Sequence, residues 1–161
     1  MTRVYIGIGS NIDKKRNIAA GLKTLAQTFG NLIVSSVYES DPVGFSGDAF
    51  HNLVVGFDSN LDFKTVAQKL RNIEYAHGRL ADSKKFSARS LDLDLLLYGD
   101  LIANDGNLQI PRTDIERYAF VLEPLAEIAP TLIHPVLQLS YAELWQKMPK
   151  EGVHQRRVSD L

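Results

Sequence analysis

The sequence predicts an α+β fold in which two helices lie on one face of an antiparallel sheet, with the elements running β-α-β-β-α-β before a C-terminal extension. Three observations carry this expectation: apolar or β-branched runs of strand length, two segments with apolar residues at helical spacing, and turn-forming residues between them. The chain has 161 residues, 45% hydrophobic and 23% charged, which suits one core of ordinary size and reads as a single domain over 1–161.

Val4 to Ile8 is a β-rich run ending in Gly7-Ile8-Gly9-Ser10-Asn11, a strand that should stop at a turn. Ile18, Leu22, Leu25 and Phe29 then form one face of a helix, and Gly30 stands where a C-terminal cap is expected. Leu32 to Tyr38 is β-rich, and Asp41 to Asp48 is turn-forming and long enough to be a working loop. Leu53 to Phe57 gives a third strand. Asp62 can cap a second helix in which Val66, Leu70, Ile73 and His77 share a face until Gly78 ends it. A charged segment, Arg79 to Ser90, leads into a fourth strand, Leu91 to Tyr98. This is the ferredoxin-like, or split βαβ, order. In the extension, Ile102 to Pro111 is strand or loop, Tyr118 to Ile128 is helical, and Ser140 with Glu143 makes a capping box that opens a last helix.

Bulk properties remove several function classes. A formal net charge of −1 gives no global field for nucleic acid or an anionic membrane, so any anion must be met by a local basic cluster. The absence of cysteine excludes disulfides, thiolate metal sites and thiol nucleophiles, and agrees with a cytoplasmic protein. The N-terminal apolar run is too short for a signal peptide, and the longest apolar stretches are well under the roughly 18 residues of a membrane helix.

Chemistry concentrates at Arg89-Ser90-Leu91-Asp92-Leu93-Asp94-Leu95. Period-two alternation puts Leu91, Leu93 and Leu95 on one face and Asp92 and Asp94 on the other. Same-face neighbours lie about 6.5 to 7 Å apart at Cα, so the two carboxylates can converge on hard cations while phosphate oxygens and water fill the other positions. Taken alone, the pair fits a solvated outer face of an edge strand equally well. Arg79, Lys84, Lys85 and Arg89 crowd the segment before the strand, as a metal-bridged polyphosphate would require. Glu74, one turn before Gly78, projects toward the same region or into solvent. Phe45, Phe50, Phe86 and Phe120 fall in or beside loops, where aromatic rings stack a flat heterocycle or form a satellite apolar cluster. Gly7 and Gly9 do not complete a dinucleotide fingerprint.

With those residues in view, the chain resembles the 6-hydroxymethyl-7,8-dihydropterin pyrophosphokinase family. The resemblance runs through Tyr5 to Asn11, Ser40 to Gly44, Asn52, Glu74, Gly78-Arg79, Arg89 to Asp94 and Pro124 to Pro130, and covers nearly the whole chain. It implies transfer of the β,γ-pyrophosphoryl unit of ATP to the pterin hydroxymethyl oxygen, with AMP released. It further implies Asp92 and Asp94 as ligands of two Mg2+ ions and Arg79 and Arg89 as the catalytic arginines. Phe50 and Phe120 would sandwich the pterin, Asn52 would read its amide edge, and Ser40 and Val43 would contribute pocket backbone. Phe86 replaces a lid tryptophan. Glu74, Arg79, Arg89, Leu95, Arg112 and Arg117 fall to the nucleotide side. ATP and a dihydropterin are then the partners, and a monomer is expected.

There are departures from the family pattern. Pro111-Arg112-Thr113 stands where a proline-histidine pair is usual, and Tyr118 where an arginine is usual, with Arg117 one position earlier. Ala81 and Asp82 replace basic lid residues, and Ser87-Ala88 replaces Gly-Pro. An acid in a phosphate lid repels its ligand, so a diverged pterin- or nucleotide-binding paralogue is the second reading. A third, an RNA-recognition module of the same strand order, lacks the sheet aromatics that such modules use.

Overall fold

The computed structural model describes residues 1–41, 47–78 and 90–158. Strand β1 (Thr2–Ser10) is followed by helix α1 (Lys14–Phe29), strands β2 (Ile33–Val34), β3 (Val37–Ser40) and β4 (Phe50–Ser59), helix α2 (Phe63–Ala76) and strand β5 (Asp92–Tyr98). The expected order is present, with two refinements. The run from Leu32 to Tyr38 divides because Ser35 keeps its ladder bond to Val54 while the Ser36 N–H turns away to Glu127. The turn expected at Gly7 to Asn11 is not there: β1 continues through both glycines to Ser10, because it is an interior strand, paired with β4 on one side and β5 on the other.

The sheet order is β5-β1-β4-β3, extended at the far edge by an unexpected strand, β8 (Gln155–Val158), which pairs antiparallel with β3. The segment from Ile102 to Pro111 forms a separate hairpin of β6 (Ala103–Asp105) and β7 (Leu108–Ile110), followed by a single-turn helix, α3 (Asp114–Arg117). Helices α4 (Ala119–Ile128) and α5 (Tyr141–Lys147) complete the extension. Both anticipated N-terminal caps are formed. The Asp62 carboxylate accepts the Thr65 N–H at 2.7 Å, and Ser140 and Glu143 close a reciprocal capping box.

Helices α1 and α2 bury Ile18, Leu25, Val66, Leu70 and Ile73 against Val4, Ile6, Ile8, Leu53, Val55 and Phe57 on one sheet face, as expected. The extension covers the other face: Leu122, Leu125 and Tyr141 pack on Tyr5, Val54, Leu96 and Leu97. Burial from both sides explains why β4 reads as a nearly unbroken apolar run. In β5 the register slips, Tyr5 facing Leu97 but Ile6 facing Leu95. The extra residue, Leu96, ends the alternation begun at Asp92, and both Leu96 and Leu97 join the second apolar cluster. Among the described residues no helix is long and apolar enough to cross a membrane.

Candidate active site

Asp92 and Asp94 stand on the sheet face that α4 covers further along, opposite Gly9 and Gly7 respectively on β1. Leu93 and Leu95 point the other way, into the core beneath α1 and α2. On its other side β1 pairs Gly9 with Asn52 and Gly7 with Val54. The two glycines therefore leave a strip without side chains between the acid pair and β4. A methyl group on Gly9 would stand only 2.9 Å from Asn52 Oδ1 and 3.8 Å from Phe50 Cδ1, so a side chain there would displace the Asn52 amide.

Asn52 is held by its neighbours. It is 8% exposed, and its Nδ2 donates to the Ser40 hydroxyl at 3.2 Å. Phe50 is the first residue of β4, with the parity of Asn52 and Val54, and so belongs to the same face. Phe120 lies in the first turn of α4, partly buried in the second cluster, with its ring stacked on Tyr118 at 5.0 Å between centroids. One side of the sheet thus gathers Asp92, Asp94, Ser40, Phe50, Asn52 and Phe120, which in the chain spread from position 40 to position 120.

Beyond Asp94 the site opens into a cavity of about 350 Å³ between α2, β5 and the hairpin, whose walls include Lys64, Arg71, Glu74, Asp94, Leu95 and Arg112. Leu95 lines it while its side chain packs in the core. Glu74 is not solvated. It is 1% exposed, accepts the Leu93 N–H at 2.7 Å and has Arg71 Nη1 3.6 Å away. The cause is that β5 edges the sheet, and its outward N–H groups need acceptors once α2 covers them. Arg112 reaches in from the other wall: Nη2 is 3.5 Å from Asp94 Oδ1, and Nε donates to Asp114 at 3.1 Å. Burial works against its charge, but Asp94, Asp114 and Asp92 outweigh that and raise its pKa above the ordinary value.

Arg117 is exposed at the end of α3 and is not part of the cavity wall. Val43, Arg79, Phe86 and Arg89 lie outside the described residues. Sequence reasoning overlooked Lys64 and Arg71. Arg71 is three residues before Glu74 on α2, and that spacing alone puts the two on one helical face.

Fold and site together define a ferredoxin-like domain whose edge strand sets an acid pair between a glycine-floored sheet face and a polar cavity. The family model described as 7,8-dihydro-6-hydroxymethylpterin-pyrophosphokinase matches residues 5–130, and the chain belongs to that family. It is 38% identical over 137 residues to the 2-amino-4-hydroxy-6-hydroxymethyldihydropteridine pyrophosphokinase of Methylorubrum extorquens, covering 83% of this chain and 86% of that protein. To the protein of the same name from Pseudomonas aeruginosa it is 36% identical over 155 residues, 94% of each chain. A solved Plasmodium falciparum HPPK-DHPS chain shares the fold, with a TM-score of 0.76 at 13% identity over 99% of this chain and 45% of that one.

Proposed function

We propose that this chain transfers the β,γ-pyrophosphoryl unit of ATP to the hydroxymethyl oxygen of 6-hydroxymethyl-7,8-dihydropterin. The hydroxyl oxygen attacks the β-phosphorus, the bond from that phosphorus to the α-phosphate oxygen breaks, AMP leaves, and the hydroxyl proton is lost to solvent. One observation carries the reading: Asp92 and Asp94 stand side by side on the face they share with Asn52 and the glycine strip, and Asp94 also lines the cavity. A pterin on that strip and a nucleotide in the cavity would meet at the two acids.

The donor set suits magnesium. Among the described residues no three His, Asp or Glu side chains converge, so a cation here would take these two carboxylates and complete its shell with phosphate oxygens and water. Two magnesium ions, when bound, would neutralise the triphosphate and polarise the attacked phosphorus. Arg112, already beside Asp94, supplies positive charge on the cavity wall, and Lys64 and Arg71 extend it toward the far phosphates or the ribose. By family resemblance Arg79 and Arg89 add charge from the segment before β5, Phe86 serves the lid, and Val43 offers backbone to the pterin. Asn52 presents Oδ1 toward Gly9 because Ser40 takes its amide donor, which aims an acceptor at a heterocycle resting on the strip. By the same resemblance the chain works as a monomer.

Incubation with Mg-ATP and the hydroxymethyl-dihydropterin should yield AMP and the pterin pyrophosphate in equal amounts. A folded sample that forms neither would reject the assignment.

A further inference from the structure

Residues 131–161 lie outside the stretch matched by the family model, yet the last strand reaches back to the helix that carries Phe120. Through its backbone Gln155 pairs with Ser40 on β3. Its side-chain Nε2 donates to the Ala119 carbonyl at 3.0 Å and to Glu123 Oε1 at 2.7 Å. Both partners are pure acceptors, so the amide can be oriented only one way. One side chain thus grips α4 on both sides of Phe120, and its own backbone is tied to the residue that holds Asn52.

Helix α4 needs such a grip. Pro124 lies within it and has no N–H, so the Phe120 carbonyl lacks the donor that an uninterrupted helix would offer four residues later. The first turn is therefore less well held from within than the rest. At the far end of α4, Glu127 accepts from the Ser36 N–H, the Ser36 hydroxyl and the Tyr38 hydroxyl. Arg157, also on β8, donates to the Tyr38 hydroxyl at 3.0 Å. Both ends of the helix are fastened to the β3–β8 edge, and β8 contributes to each fastening.

We infer that Gln155 is a positioning residue for the pterin half of the site, the C-terminal strand acting as a strap that sets the Phe120 ring over the strip floored by Gly7 and Gly9 and bordered by Asn52. This rests on the pyrophosphokinase reading for the identity of the ligand, and on the hydrogen bonds alone for the strap. Gln155 touches no reacting atom in this scheme, so its loss should show as weaker pterin capture, not as failed chemistry on bound substrate.

The test compares the full-length parent with Gln155→Met, which keeps length and volume but has no N–H, and with Gln155→Glu, which sets a carboxylate against Glu123. Gln155→Met should raise the KM for the pterin roughly tenfold, the scale of one or two lost hydrogen bonds, and leave the KM for ATP within about twofold. Gln155→Glu should do the same or worse. Adding Glu123→Gln to Gln155→Glu restores a donor opposite an acceptor on that side only, the Ala119 carbonyl still facing a carboxylate, and should recover part of the affinity lost in Gln155→Glu. Amide exchange over residues 119–124 should speed up in Gln155→Met without pterin present. Equal changes in both KM values, or unchanged pterin KM with unchanged exchange, would overturn the strap. If the parent makes no AMP, calorimetric pterin binding by parent and Gln155→Met decides the matter: weaker binding by the variant upholds the strap without the activity, and equal binding or none by either overturns it.

Discussion

Asp94 belongs to both halves of the site, facing the glycine strip on β1 and lining the cavity that holds Arg112. Its side chain is about one-third exposed, so it contributes little packing. Asp94→Ala should therefore lower AMP formation by about three orders of magnitude, the scale expected when a metal's charge stabilisation is lost, with the unfolding midpoint in urea hardly moved. A variant with near-parental turnover would show that Asp94 holds no metal. Gly9 works by what it lacks. Gly9→Ala places a methyl 2.9 Å from Asn52 Oδ1, closer than the contact allows, so the amide must swing away. Pterin affinity should fall by roughly tenfold or more while ATP affinity holds, as titration of each ligand separately would reveal.

An edge strand carrying two acids has to be kept in register. One side of β5 is paired with β1, and on the other the buried Glu74 carboxylate of α2 takes the Leu93 N–H. Glu74 thus serves the fold as well as the cavity wall. Removing it leaves a buried donor unpaired, and Glu74→Ala should cost about 1–3 kcal/mol. For a chain of this size that lowers the melting temperature by roughly 2–4 °C per kcal/mol. A thermal melt matching the parent's would mean that water replaces the carboxylate. The bulge at Leu96 has the complementary task. It ends the alternation that exposes the acids and turns two consecutive leucines toward α4.

For the whole molecule, burial on both sheet faces makes stability sensitive to pH at both ends. His134 accepts the Val136 and Leu137 N–H groups on Nδ1, and its Nε2 is buried with no hydrogen-bond partner among the described residues. Burial chiefly lowers its pKa below 6.5. The unfolded chain then binds the proton more readily, so stability is full above pH 6.5 and declines as pH falls through the folded value. Glu127, its pKa lowered by hydrogen bonds from Tyr38 and Ser36 that outweigh burial, adds a second loss below pH 4.5. Tyr38 moves the opposite way: burial first, then its bond to Glu127, raises it from 10.0 to about 12. The folded state keeps that proton, so its contribution is whole below pH 10 and is lost as pH climbs toward 12. Urea midpoints should form a plateau between about pH 6.5 and 10 and fall on both sides; a midpoint still rising at pH 11 would contradict the Tyr38 assignment.

Local rules made much of this protein legible. The alternation of leucine and aspartate around residue 93, the helical spacing of Ile18 to Phe29 and Val66 to Ile73, and the capping residues Asp62 and Ser140 each express a periodicity or a hydrogen bond spanning a few residues. Spacing and motifs along the chain were enough for the order from β1 to β5, the shared face of Asp92 and Asp94, and the family. Packing between distant segments was needed to carry β1 straight through its glycines, bury Glu74 against Leu93, pair Arg112 with Asp94 while Arg117 faces solvent, and fasten α4 with β8. Each of these depends on which N–H, carboxylate or ring a distant segment brings alongside. Such contacts span 36 residues between Ala119 and Gln155 and 119 between Tyr38 and Arg157, far beyond the few positions over which spacing and propensity carry information.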